Sequence, residues 1–211
     1  MLVMKKKIIF NNLNFKIYKG EKIGIIGDTG AGKSTLLDII TNVIRVGSGS
    51  RLVNNIKYED IDFYNLRKKI SYVPQSLPVL DATIKEYFHF YNENIDDEKI
   101  NYYLNLMNCN NFLGDKLEKI NTYLGDKGMK ISGGQKQKVI LAAALSRNPE
   151  ILILDESTNA LDRVEEQNII ANLISTKDKT LIFISHKLSN TELFDKIYKV
   201  EKNNITLLSK K

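Results

Sequence analysis

The chain has 211 residues, 43% of them hydrophobic and 27% charged, which excludes a disordered segment and leaves room for one sizeable α/β domain rather than two. The formal charge, 31 − 25 = +6, comes from lysines spread along the chain, only five of the basic residues being Arg; it reads as compositional bias, and no nucleic-acid partner is expected. No apolar run approaches the roughly 20 residues of a membrane-spanning helix, MLVMKKKIIF lacks the parts of a secretory signal, and the single Cys109 permits no internal disulfide, in keeping with a reducing cytosol.

In chain order, Lys22–Ile26 is the first predicted strand, short and apolar. A glycine-rich segment follows, and then a helical pattern carried by Leu36, Leu37, Ile39, Ile40 and Val43. Lys69–Val73 is the next strand. From about Ser76 to Arg147 the character changes: Ile84–Tyr91 and Glu98–Leu106 have helical spacing, and no strand is evident. Strands return with Ile151–Leu154 and Thr180–Ile184. Alternating strands and helices predict an α/β core with a mostly parallel sheet, made of residues 1–75 and 149–211, into which residues 76–148 are inserted as a helical subdomain; 1–211 is then one domain.

Residues 27–35, GDTGAGKST, satisfy G-x-x-x-x-G-K-[ST] between a strand and a helix. Gly27, Gly30 and Gly32 let the backbone turn tightly, so that the amides of Asp28, Thr29 and Ala31 can point inward at phosphate. A helix starting near Lys33 aims its positive end at the same place. Lys33 would neutralise the β- and γ-phosphates, Ser34 would complete the motif and ligate Mg²⁺, and Thr35, the next residue, would join the nucleotide-binding set. Residues 151–156, ILILDE, describe a strand buried on both faces with Asp155 at its carboxyl end, where open α/β sheets bind ligands. Asp155 can hold Mg²⁺ through its water shell, and Glu156 can take a proton from a water attacking the γ-phosphate. At residues 131–135, ISGGQ, Ser132 is a good N-cap, Gly133 and Gly134 expose backbone amides, and Val139, Ile140, Ala143 and Ala144 give the following helix an apolar face, with Pro149 just beyond its end. Ser132 thus opens a second helix N-terminus able to receive an anion.

ISGGQ resembles the LSGGQ signature of the ABC ATPases, and four further motifs stand in that family's order: the phosphate loop, Pro74-Gln75 as its Q-loop, Asn159-Ala160-Leu161-Asp162 as its D-loop, and Ser185-His186 as its switch histidine. The resemblance implies an ABC ATPase fold that binds ATP and Mg²⁺ and hydrolyses ATP. Gln75 would touch Mg²⁺ or the lytic water, and His186 would bond the γ-phosphate and align the water with Glu156. Ser132, Gly133, Gly134 and Gln135 would close over ATP held by a second ATPase domain in a head-to-tail pair, with Asp162 shaping the contact. A transmembrane partner, separate or fused, would place the domain at the cytoplasmic face of a membrane.

Leu66–Gln75, Asp81–Glu86, Gly125–Gly128 and Ser185–Ser189 are similar to segments of the exporter branch. The alternative is a non-transport ABC ATPase acting on nucleic acid or the ribosome, against which stand a single uninterrupted cassette and the lack of Cys pairs. Intact Lys33, Asp155, Glu156 and His186 argue against a degenerate, non-hydrolysing module. Three departures stand out. Ile131 replaces Leu, Asn159 replaces Ser, and no aromatic occurs among residues 1–7, where the family stacks adenine. The expectation is a degenerate first strand, weak adenine selectivity and a high KM for ATP, with Phe10 lying in an apolar strand before Asn11.

Overall fold

The computed structural model describes residues 9–11, 13–76, 81–113, 119–125, 131–176, 178–186, 188, 190–201 and 204–210. Strand β1 (Lys22–Ile26) leads into α1 (Lys33–Ile40). A small hairpin, β2 (Leu52–Val53) and β3 (Ile56–Lys57), precedes α2 (Phe63–Lys68), which Asp62 caps, and β4 (Ile70–Val73). The helices α3 (Ile84–Tyr91), α4 (Asp97–Leu106), α5 (Asn110–Leu113) and α6 (Gly133–Ser146) come next. Then follow β5 (Ile151–Asp155), α7 (Arg163–Ser175), β6 (Thr180–Ser185), β7 (Lys196–Glu201) and β8 (Asn204–Lys210).

The main sheet runs β4-β5-β6-β1-β7-β8; the first five strands are parallel and β8 returns antiparallel at the edge. The α/β fold expected from the sequence is the fold observed. All four predicted strands are present, with ends shifted by at most a residue: β4 begins at Ile70, β5 includes Asp155, and β6 includes Ser185. The pairings Ile26↔Ser185, Asp155↔Ile184 and Val73↔Leu154 set the carboxyl ends of β1, β4, β5 and β6 level with one another.

Side chains alternate between two apolar clusters, as the pleat requires. Leu152, Leu154, Leu181 and Phe183 face one cluster, together with α3, α4, α6 and α7. Ile153, Ile182, Ile184, Ile23 and Ile25 face the other, with Leu36 and Leu37 of α1. Both faces of the parallel strands are therefore covered, as the unbroken apolar runs predict. Between β4 and β5 the described residues form helices and one isolated bridge, Thr83 to Tyr123. Tyr87 and Phe88 of α3 pack in the core with Ile100, Leu104 and Met107, while Phe90 points to solvent. Thr83 and Glu86 make a capping box, which gives part of the segment Asp81–Glu86 a structural role of its own.

Two expectations need correction. Helix α6 is not one-sided: Lys138 to Ser146 are all buried, because the helix lies between the sheet and α3 and α4. Phe10 lies in no strand; its ring packs beside the phosphate loop, against the cluster around β1. Residues 1–7, and with them the expected position of the adenine-stacking residue, fall outside the described residues, as do Asp126–Gly128, Lys187 and Ser189.

Candidate nucleotide site

Four strand ends meet at one place. Ile26 ends β1, and the loop 27–32 connects it to α1, whose first residues are Lys33, Ser34 and Thr35. A cavity of about 390 Å³ is bordered by residues 29–35, by Gln75 just past β4, by Glu156 just past β5, by His186 just past β6, and by Ile9. Gly27 and Asp28 lie outside that lining and contribute their carbonyls instead: Lys33 Nζ donates to Gly27 O at 2.7 Å and to Asp28 O at 3.1 Å. Gly27 serves close packing rather than a turn, since a Cβ there would sit 2.5 Å from the Val200 carbonyl oxygen of β7. Gly32 does need its freedom: it takes φ 107° as the N-cap of α1, a conformation that other residues rarely adopt. No side chain caps α1, so its first amides stay open to a phosphate.

Lys33 is 6% exposed and lies 3.3 Å from Glu156 Oε1. The same carboxylate oxygen is 2.9 Å from His186 Nε2. Glu156 Oε2 accepts from Asn159 Nδ2 at 3.4 Å. The Glu156 backbone turns off the strand with φ 50°, in the left-handed region, and its N–H donates to Ile184 O at 2.9 Å. Such a conformation costs a non-glycine residue about 1 kcal/mol. Here it swings the carboxylate away from the strand axis and into the space between Lys33 and His186. Glu156 is buried, whereas His186 is half exposed, so the group suited to abstract a proton is sheltered and its partner borders the opening.

Asp155 is the last residue of β5 and is buried. Burial raises its pKa and the charge of Glu156 pushes the same way, while a hydrogen bond from the Tyr72 hydroxyl at 3.1 Å and the charge of Lys33 oppose the rise. Burial also raises the Tyr72 hydroxyl pKa well above its ordinary value, so it stays a donor to the carboxylate. Of the residues expected to hold Mg²⁺, the exposed Ser34 hydroxyl and the Gln75 amide border the cavity, whereas Asp155 is buried outside its lining with one carboxylate oxygen bonded to Tyr72. They are hard donors, too few to cage an ion by themselves, and they fit an ion that keeps waters and phosphate oxygens as its other ligands.

The second motif group stands apart from this cavity. Ser132 Oγ accepts from Gln135 N at 3.2 Å, and Gln135 Oε1 accepts from Ser132 N at 3.0 Å, a reciprocal cap on α6. Ser132 and Gly133 face solvent, and none of Ser132, Gly133, Gly134 and Gln135 borders the phosphate cavity of the same chain. Asp162 caps α7, accepting from Val164 N and Glu165 N, each at 2.9 Å. Sequence reasoning missed Tyr72, Asn159 and Ile9 as parts of the site. Tyr72 was legible only as a strand residue, and Asn159 only as an oddity within a motif; neither has a spacing that announces its partner.

A glycine-wrapped lysine at a helix start, facing a carboxylate pair at the end of the neighbouring-but-one strand, defines a P-loop nucleotide-binding protein. The chain belongs to the ABC transporter family: the model described as ABC transporter matches residues 10–159. A relative in Rickettsia typhi, named "Putative export ATP-binding/permease protein", is 38% identical over 199 residues, which are 93% of this chain and 34% of the relative. The leukotoxin translocation ATP-binding protein LktB of a Pasteurella haemolytica-like species is 36% identical over 93% of this chain and 28% of its own. A solved bacterial Atm1-family ABC exporter with ATP bound superimposes with a TM-score of 0.87 at 26% identity, over 97% of this chain and 36% of that one. The chain thus spans about a third of the length of the relatives it matches. Among the described residues no helix is long and apolar enough to cross a membrane.

Proposed function

We propose that this chain binds MgATP in the cavity around Lys33, hydrolyses it within a head-to-tail pair of ATPase domains, and drives export through a transmembrane partner at the cytoplasmic face of a membrane. The single observation that carries the reading is the convergence of Lys33, Glu156 and His186 on one cavity bordered by the phosphate loop. The open amides at the start of α1 and the Lys33 ammonium would bind the β- and γ-phosphates. Ser34, Gln75 and Asp155 would hold Mg²⁺, which supplies charge neutralisation between the phosphates. Glu156 would accept a proton from water in line with the γ-phosphate, its carboxylate held by His186 on one oxygen and Asn159 on the other.

The pairing rests on the position of Ser132. It heads a fourteen-residue helix whose N-terminus faces solvent, away from its own phosphate cavity, so the anion it receives would belong to a second domain. The exporter names of the relatives support the direction of transport. Complementation tests the composite site. Lys33→Ala and Ser132→Arg chains should each be inactive alone, and mixing them should restore ATPase activity, because a mixed pair holds one intact Lys33 facing one intact Ser132. A mixture as inactive as its components, beside an active unmutated chain, would overturn the head-to-tail arrangement.

A further inference from the structure

Helix α6 touches the loop 157–162, which connects Glu156 to α7, at several points. A Cβ at Gly134 would meet the Ala160 carbonyl oxygen at 3.0 Å and the Leu161 side chain at 3.3 Å, so only glycine lets the first turn of α6 lie this close to the loop. Three residues on, Gln137 Oε1 accepts a hydrogen bond from Ala160 N–H at 3.0 Å. One residue further, Lys138, 3% exposed, pairs with Glu165 in the first turn of α7. Thr158 donates to Glu166 of the same turn at 2.7 Å. The loop between these anchors carries Asn159, whose amide donates to Glu156 Oε2.

From these contacts we propose that Gln137 is a positioning residue: it ties the first turn of α6 to the loop bearing Asn159, so the helix end offered to a second copy's triphosphate also sets the carboxylate of its own chain's Glu156. The proposal rests on the reading given under Proposed function. The physical reason is local. Asn159 and Ala160 are exposed, in a turn closed by bonds from Asn159 N–H to Glu156 O and from Leu161 N–H to Thr158 O; toward α6, the close approach of Gly134 limits inward movement of the turn and the Gln137 bond limits outward movement. A shift at the N-terminus of α6 would then pull on Ala160 and, through it, on the side-chain amide of Asn159 that bonds Glu156 Oε2. Two composite sites in a pair would feel each other through this link without any change at Lys33.

The side-chain chemistry gives a direct test. Gln137 acts as an acceptor, so Gln137→Glu keeps the bond to Ala160 N–H, whereas Gln137→Leu keeps the bulk and removes the acceptor. Water can satisfy the exposed Ala160 amide, so the Leu variant should fold. Amide hydrogen exchange at Ala160 should speed up in the Leu variant and return to the unmutated rate in the Glu variant. In parallel, kcat for ATP should fall about tenfold in the Leu variant and recover in the Glu variant, the fall being the rate equivalent of one lost hydrogen bond. ATP affinity at the Lys33 cavity should be the same in all three chains. Unchanged exchange at Ala160 in the Leu variant would overturn the proposal, as would faster exchange with kcat unmoved. If the unmutated chain turned over no ATP while exchange still followed the side chain at 137, the functional reading would fall and the clamp would stand.

Discussion

Glu156→Gln is the most informative single change, because it keeps the size of the side chain and removes the charge and the basicity. In the native chain the carboxylate lies 3.3 Å from Lys33 Nζ. At an effective dielectric of about 20, that separation corresponds to a gross attraction of about 5 kcal/mol. The net loss is smaller, since Lys33 keeps the Gly27 and Asp28 carbonyls as acceptors and the amide of Gln can still accept. We expect about 1–2 kcal/mol, which in a chain of this size lowers the nucleotide-free Tm by roughly 2–8 °C. The catalytic effect is far larger. Loss of a general base typically costs 10²- to 10⁴-fold, so phosphate release should fall by about 10²-fold or more. ATP should bind as well as before or better, because the variant removes a negative charge that competes with phosphate for Lys33. Saturating ATP should then more than restore the lost Tm. Phosphate release, equilibrium ATP binding and thermal melts on the same preparations measure all three quantities. A Gln variant whose kcat stays within about threefold of the unmutated chain would refute the assignment of the base.

Other changes probe the rest of the site. The Asp155 pKa is raised above its ordinary 3.8, so its contribution to stability is fully present below that value and is lost as pH rises through the raised pKa. Asp155→Asn should therefore raise the nucleotide-free Tm near neutral pH and lose that gain in acid, while Mg²⁺-dependent hydrolysis disappears; a lowered Tm at neutral pH would count against the burial argument. His186→Ala should reduce kcat by roughly 10- to 100-fold with little change in ATP affinity, because His186 contacts Glu156 rather than Lys33; an equal loss in both, read from kinetics and equilibrium binding, would instead place His186 in ground-state binding. Competition between ATP and GTP should show less than about tenfold preference, the equivalent of a missing ring stack. Strong selection for ATP would mean that another residue holds adenine, and Phe10, already beside the phosphate loop, is the first to mutate.

Groups whose placement depends only on spacing along the chain were legible from the residues. Gly27 to Thr35 span one strand-to-helix turn, Asp155 and Glu156 are adjacent, and Ser132 begins a helix, so local geometry alone brings each group into position. The strands buried on both faces were legible for the same reason, since unbroken runs such as ILIL leave no face for water. What escaped was either short or disguised. The hairpin β2–β3 turns on Asn54 and Asn55, both at positive φ, and its two-residue strands carry too few side chains for a period. Strand β7 hides behind lysines: Lys196 is buried with its ammonium paired to Glu21 and set over the Tyr18 ring, both from a distant part of the chain. Only in the folded chain is it evident that α6 is buried from Lys138 to Ser146, that Tyr72 donates to Asp155 across neighbouring strands, and that Gln137 holds Ala160. Each of these pairs is distant in sequence, and nothing in the identity of one member specifies the other; their contacts exist only once the sheet order β4-β5-β6-β1 has set the strands side by side.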